Sequence, residues 1–407
     1  MNLFLKLLGN GILVQSLTIV STLIFSRVFS VDQFGELAFY VSFGSLLAVI
    51  GGLRFDYLIL RDSILDKEVG LFLSNIISII INLIIFLFAF ILQSQFGIIA
   101  NINIFFLPLF GLGFSFFNNI SQYLISKKEY SLFTKLRLVQ VVGVFFIALL
   151  IKAASNNHYS MVYGYSLAQF VLGILGIFFI LRKACRPTTM QLISFFKKHY
   201  HESFKNFLIS FMQYSTPLMP VLIGGYIFDQ RNIGAYFIFA QMISAPLNIL
   251  RRNILVFFNG EFSSKEIFNS VINAKVLKLQ NLLLFIALLI VISIFIYFFQ
   301  QILVLIILGS QWTAYSYLLL PLFIYFFLDC LLQPFTTLLP LWGKVNLSLG
   351  IELLRFILLI VILPICTLIF KIGFFNFLLI YIALMLFVYF ITVLKVLHLS
   401  KTQEGCV

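Results

Sequence analysis

Apolar residues run through this sequence in blocks of about 20, long enough to cross a bilayer as helices, with short polar breaks between them. The blocks are apolar throughout and lack the period-two alternation of a barrel strand, so helices are the predicted spanning element. Twelve spans are expected, with cores near 8–29, 35–59, 70–94, 103–125, 136–152, 161–181, 204–227, 233–257, 278–299, 313–340, 347–370 and 373–395. The fold class is therefore an all-α polytopic membrane protein.

The chain is organised around the stretch from Ser26 to Asp62, which holds the end of the first block, a turn, the whole second block and a charged exit. Phe34-Gly35 opens the second block, and Arg54 lies inside it, one turn before its end. A later stretch beginning at Phe228 has the same plan: Gly234 falls on Gly35, Ile233 on Phe34 and Phe239 on Tyr40, and Arg251 and Arg252 come within a few residues of the position of Arg54. This reads as a weak internal repeat of two half-chains that place cations at the same depth. Chance likeness between two apolar segments is the alternative.

Composition agrees with the pattern. The chain is 62% hydrophobic and 10% charged, with a mean hydropathy of +1.10. A soluble domain is about half apolar and about a quarter charged. The net charge of +13 suits a nucleic-acid binder, but the basic residues sit singly or in twos between apolar blocks, which is how a bilayer orients helices. With the N-terminus in the cytoplasm, 21 of the 27 Lys and Arg residues fall on the cytoplasmic side and four outside, with Arg54 and Arg355 in spans. The expected topology is N-in, C-in, which requires an even number of spans. The first block lacks a small-residue cleavage site and is read as a retained span.

The outer loops are short. The longest inner segment, Arg182–Lys205, carries Leu192, Phe195, Phe196, Tyr200 and Phe204 at helical spacing opposite Lys197 and Lys198, with Thr188 or Thr189 as a cap. It reads as an amphipathic helix on the cytoplasmic face. The expected division is an N-terminal lobe at 1–184, a linker at 185–203 and a C-terminal lobe at 204–407. Prolines 217, 220, 246, 321, 334, 340 and 364 fall in spans of the second half. Bent helices are therefore expected there.

Charge and polarity inside the spans supply the candidate chemistry. Arg27, Arg54, Arg251 and Arg252 either snorkel to headgroups or face protein and water. Glu352 and Arg355 lie three residues apart on one helix face and are within reach of each other. Asp329 has no charge near it in sequence and is read as a lone mid-membrane carboxylate, a proton or cation site or else a protonated packing residue. Gln15, Asn118, Gln122, Gln213 and Gln241, with Asn119, Gln140 and Gln169, either join helices or line a watery cavity suited to carbohydrate hydroxyls. The four cysteines form no C-x-x-C pair and the four histidines no H-x-x-x-H spacing, so no disulfide framework and no metal site are expected. No Walker motif, no placeable Ser-His-Asp set and no large outer loop is present.

Several of these residues resemble a known family. Ser26-Arg27-Val28-Phe29, the turn at Phe34-Gly35 and the triplet Arg54-Phe55-Asp56 are similar to the opening of polysaccharide exporters of the multidrug/oligosaccharidyl-lipid/polysaccharide (MOP) superfamily, whose triplet is Arg-Tyr-Glu-like. The segment Leu308–Phe327, with Gly309 and Trp312, is similar to that family's Leu-Phe-Gly-x-x-Trp lead into the tenth helix. The motifs are short, and the twelve-span plan extends the resemblance over the whole chain. Size, Phe/Ile richness and tiny outer loops are most like Wzx-type O-antigen flippases.

The resemblance implies two pseudo-twofold-related six-helix lobes. It also implies a substrate, an undecaprenyl-pyrophosphate-linked oligosaccharide repeat unit moved from the cytoplasmic to the periplasmic leaflet of a bacterial inner membrane by alternating access. A central cationic cavity would hold the pyrophosphate and sugars. Arg27 and Arg54 match motif positions as anion partners, and Arg251, Arg252 and Arg355 join them by inference, since arginine's planar fork suits phosphate oxygens. Asp329 or Glu352 would carry H+ or Na+ if transport is ion-coupled. A polysaccharide polymerase and a chain-length regulator are implied partners. The rivals are a cation-coupled drug or metabolite antiporter of the same superfamily and an O-antigen polymerase. The few acids inside spans disfavour the first, and the lack of a large outer loop disfavours the second.

Overall fold

The computed structural model describes residues 2–60, 64–96, 103, 105–155, 157–182, 186–261 and 279–401. Among them the regular secondary structure is all helical. The helices are α1 (Asn2–Val28), α2 (Val31–Gly52), α3 (Ile64–Phe96), α4 (Phe106–Ser126), α5 (Tyr130–Ala154), α6 (Ser160–Leu181), α7 (Thr189–Ser215), α8 (Met219–Ile227), α9 (Gln230–Glu261), α10 (Leu279–Ile307), α11 (Leu319–Leu341), α12 (Val345–Phe370) and α13 (Phe374–Lys401). Short 3-10 helices occupy Phe55–Leu60, Thr216–Leu218 and Ser310–Leu318.

Ten helical stretches among the described residues are long and apolar enough to cross a membrane, and Leu13–Val28 is a shorter apolar helix. Phe106–Ser126 is not among the ten. It carries Asn118, Asn119, Ser121 and Gln122 in its second half. The outer surface agrees with a bilayer solvent. Only 11% of the spanning window of α5 and of α10 is buried, and Val291, Phe298 and Ile306 of α10 are 65%, 72% and 64% exposed. A soluble chain does not leave such a continuous apolar face in water.

The chain forms two compact units. One comprises Met1–Ser21 and Asp32–Leu222, the other Thr22–Val31 and Ile223–Val407. In the first, α4 packs against α3 and α6, and α5 packs on α6. Gly164 of α6 makes that last approach possible, since a Cβ there would lie 2.3 Å from the Cα of Ala148. One core cluster joins Ile59, Leu71, Ile120, Tyr123, Leu124 and Ile180, and another Phe55, Leu58, Val69, Leu73 and Phe195. In the second unit α11 packs against α9, α10, α12 and α13, and Leu338, Leu339, Ile351, Val388 and Val396 form a core cluster.

Two details differ from the sequence reading. The expected surface helix and the seventh span form one continuous helix, α7, opened by a capping box in which Thr188 and Gln191 bond reciprocally. That helix stays regular until Thr216-Pro217, where a 3-10 turn leads into α8. The second span was expected to continue to residue 59. Instead α2 stops at Gly52, and Leu53 and Arg54 follow with φ of 41° and 60°. Consecutive left-handed residues cannot continue a right-handed helix, so Arg54 sits in a turn rather than on a helix face.

The repeat has a structural counterpart. Phe34 and Ile233 are each the fourth residue of their helix, α2 and α9, and each is 1% exposed. Pro246 does not end α9, which runs on through Arg251.

Candidate functional site

Four helices of the second unit bring ionisable groups together. Arg251 of α9 donates from Nη1 to Oδ2 of Asp329 on α11 at 3.4 Å. The Tyr389 hydroxyl of α13 donates to Oδ1 of the same carboxylate. Arg355 of α12 lies over the Tyr389 ring, 4.8 Å from its centroid, and donates from Nη1 to Glu352 at 3.1 Å and 3.4 Å. Glu352 and Arg355 have side chains only 3% and 7% exposed. Nearby, the hydroxyls of Tyr325 and Tyr381 lie 3.2 Å apart.

Asp329 is thus not the lone carboxylate expected from sequence. It is clamped by a guanidinium and a phenol from helices 78 and 60 residues away along the chain, a separation that a sequence window does not see. Tyr389, absent from the sequence-derived candidates, bridges Asp329 to Arg355. Nothing in its apolar run marks it out.

Arg355 has spare capacity. Its Nε and Nη2 are buried and have no hydrogen-bond partner among the described residues. A buried guanidinium with unmet donors is costly, and the planar guanidinium edge can donate to two oxygens of a carboxylate or a phosphate. Arg251 is 30% exposed and offers its remaining donors to water or an anion. Arg252 lies in α9, and its side chain falls outside the described residues.

The first unit holds a smaller polar node. Arg54 is 8% exposed. Its Nε donates to Ser210 Oγ of α7 at 2.8 Å, and its Nη1 pairs with Asp56 at 3.3 Å. Its guanidinium lies 5.1 Å from the Tyr57 ring centroid and 5.5 Å from that of Tyr214. Asn118 of α4 donates to the same Asp56 oxygen at 2.8 Å. The sequence triplet at residues 54–56 therefore supplies both a cation and its counter-ion. Ser210 and Tyr214, which complete the node, come from α7 and carry no sequence signal of that role.

Arg27 has a different environment. It is exposed at the end of α1, and its Nη2 donates to the Ile306 carbonyl in the last turn of α10 at 3.0 Å, a cation on a helix C-terminus. Next to it, Ser26 Oγ donates to the Leu308 carbonyl at 3.1 Å. Trp312, fully buried, donates from Nε1 to the Ser26 carbonyl at 2.9 Å. Gln311 donates to the carbonyls of Ser26 and Phe29. Two motifs nearly 300 residues apart in sequence thus form one joint. Gly309, with φ of 110°, turns the backbone into it.

The expected polar lining is only partly assembled. Asn118 belongs to the Arg54 node. Gln213 is exposed, and Gln15, Gln122 and Gln241 are half-buried. Gln140 bonds Gln169, and Asn119 bonds Asn75, each at 2.8 Å across helices, so these amides join helices. An apolar cavity of about 190 Å³ in the second unit, lined by residues including Phe239, Ile296, Val304 and Phe323, offers no chemistry for a sugar. Among the described residues no group of three or more His, Cys, Asp or Glu could hold a metal, and Cys330 and Cys366 are free thiols. Cys185 and Cys406 lie outside the described residues.

The fold is that of the MOP-superfamily transporters. A solved structure described as the inward-facing conformation of a multidrug resistance MATE family transporter of the MOP superfamily aligns with a TM-score of 0.60 at 12% identity, covering 96% of each chain. The MATE multidrug transporter DinF-BH aligns at 0.65 with 14% identity, over 97% of this chain and 95% of that one. The eukaryotic MATE transporter AtDTX14 aligns at 0.53 with 9% identity, over 98% and 95%. No curated relative matches the sequence. The profile of a family described as polysaccharide biosynthesis protein matches residues 24–317, and the chain belongs to that family. The fold is thus one shared with multi-pass membrane transporters.

Proposed function

We propose that this chain is a lipid-linked oligosaccharide flippase. It moves undecaprenyl-pyrophosphate-linked O-antigen or other polysaccharide repeat units from the cytoplasmic to the periplasmic leaflet of a bacterial inner membrane, by alternating access. The observation that carries this reading is the family match over residues 24–317 on a chain with a transporter fold. In support, Nε and Nη2 of the buried cation Arg355 have no hydrogen-bond partner among the described residues, and Arg251 is paired with Asp329 in the same node. A diphosphate would pair with Arg251 and Arg355 by displacing Asp329 and Glu352. Protonation of Asp329 or Glu352, or a Na+ ion bound there, would release the same arginines, so ion coupling and anion binding are linked at one node. Outward movement of an anion is also driven by an inside-negative potential, at about 2.3 kcal/mol per charge per 100 mV. The N-terminus and C-terminus lie in the cytoplasm in this reading, and a polysaccharide polymerase and chain-length regulator act next.

The test is deletion of the gene followed by analysis of lipid-linked intermediates and surface polysaccharide. Repeat units retained on the cytoplasmic side, with surface polymer lost and restored by the wild-type chain, are expected. Two observations favour a second reading, a cation-coupled drug or metabolite antiporter: the fold is shared with multidrug transporters, and the carboxylates of Asp329 and Glu352 are buried in the second unit. Intact surface polysaccharide with altered drug sensitivity would replace the first reading with this one.

A further inference from the structure

Outside both nodes, the first unit contains a buried carboxylate that the proposed mechanism does not use. Glu36, in the second turn of α2, is 6% exposed. Its Oε1 lies 3.1 Å from Nε2 of His158, which stands between α5 and α6 with a side chain 51% exposed. Its Oε2 is buried with no partner among the described residues. Gln33, one turn earlier, donates from Nε2 to the carbonyls of His158 at 2.7 Å and Asn157 at 3.5 Å. The loop is thus held to the start of α2 by one neutral clasp and one ionisable clasp. Asp32 and Tyr40 of α2, Tyr159 of the loop and Tyr163 of α6 are the other titratable groups close enough to interact with this cluster.

We propose that Glu36 and His158 form a proton-binding latch, in which one shared proton holds the Asn157–Tyr159 loop on the start of α2. With one proton the pair is neutral overall, and imidazole N–H and carboxylate oxygen share a charge-assisted bond. Loss of that proton to water through half-exposed His158 leaves an uncompensated buried carboxylate whose second oxygen already lacks a donor, which is costly. Gain of a second proton on the carboxylate leaves an imidazolium facing a neutral acid, and the attraction is lost. The latch is therefore tightest at intermediate pH and loosens on both sides, because the two groups titrate as a pair. With the N-terminus cytoplasmic, the latch faces the periplasmic side. This inference gives the proposed flippase a sensor for external pH but does not need the flippase reading to hold.

The test is hydrogen exchange of the full-length protein in lipid bilayers, read by mass spectrometry from pH 5 to pH 8 and corrected for intrinsic rates. The reporters are the amides of Tyr159, Ser160 and Tyr163, which bond to Asn157 Oδ1, Asn157 O and Tyr159 O. In the wild type, protection passes through a maximum and falls by about tenfold on either side, roughly the factor a partly exposed charge-assisted hydrogen bond supplies. Glu36→Gln and His158→Gln each flatten the curve. Gln33→Ala lowers protection at every pH but keeps its shape. His158 is half-exposed, so its variant keeps the test valid if Glu36→Gln fails to fold. Protection in the wild type that is independent of pH overturns the proposal, as does a maximum that survives in His158→Gln. The readout contains no transport step, so it stands or falls separately from the deletion phenotype.

Discussion

Replacing Arg355 by Met and Glu352 by Leu, singly and together, separates an ion pair that holds α12 in place from a cation kept for an anionic ligand. The two side chains are 7% and 3% exposed, with the guanidinium 3.1 Å from the carboxylate. Breaking such a pair from one side leaves an isolated buried charge, at about 3–5 kcal/mol. Arg355→Met should fall in that range. Glu352→Leu should fall in the same range, and Arg355 then keeps the Tyr389 face and the nearby Asp329. The double variant removes both charges and replaces them with apolar groups of similar bulk, so it should be more stable than either single one, with a coupling energy of at least about 2 kcal/mol.

Denaturant or SDS titration of the purified protein in mixed micelles measures these differences, and restoration of surface polysaccharide in the deletion strain tests the proposed function. The expected result is a double variant that folds like the wild type and does not transport, because the cation is gone. Additive losses of stability would refute the pairing inferred from the geometry. A double variant that transports normally would refute the role given to Arg355 in holding an anion and leave it a structural partner of Glu352.

Other expectations follow from single contacts. Trp312→Phe, which removes the indole N–H bonded to the Ser26 carbonyl at a fully buried position, should destabilise the chain by about 1–3 kcal/mol in the same titration, since it leaves a buried acceptor one donor short. Gly164→Ala places a methyl 2.3 Å from the Ala148 Cα and should cost about 1–3 kcal/mol. Gly350→Ala, with nothing within 4 Å, should be neutral or slightly stabilising. Asp329→Asn keeps an acceptor for Tyr389 while removing the charge opposite Arg251. Thermal stability should change little, because Arg251 is 30% exposed, whereas any dependence of transport on a proton or Na+ gradient should be lost.

The apolar blocks made the fold class legible because a bilayer demands them, and ten of the expected spans reappear as helical stretches of suitable length and composition. The motif positions were legible too, but not what they do. The resemblance marks Arg27 and Trp312 separately, and only the fold shows that the end of α1 and the 3-10 helix after α10 dock on each other. Partners such as Ser210 for Arg54 and Tyr389 for Asp329 stay hidden because each comes from a different helix, at a distance set by packing rather than by spacing. Glu36 did carry a signal, as a carboxylate six residues into an apolar helix. Its significance depended on a histidine 122 positions away.

Charge pairing changes what a cationic lining can mean in this chain. Arg54, Arg251 and Arg355 each have a carboxylate within 3.4 Å, from Asp56, Asp329 and Glu352 respectively. The fixed positive charge that an anion meets is therefore much smaller than the number of arginines suggests. Under the proposed function, a diphosphate entering the node of the second unit would exchange with a carboxylate at Arg251, while Arg355 would add the two nitrogens that have no partner among the described residues. The net gain of such an exchange would be a difference between two charge-assisted bonds, which would keep binding weak enough for release on the far side of the membrane. A transporter requires that property, since a site that bound its anion as tightly as unpaired arginines would permit could not let it go.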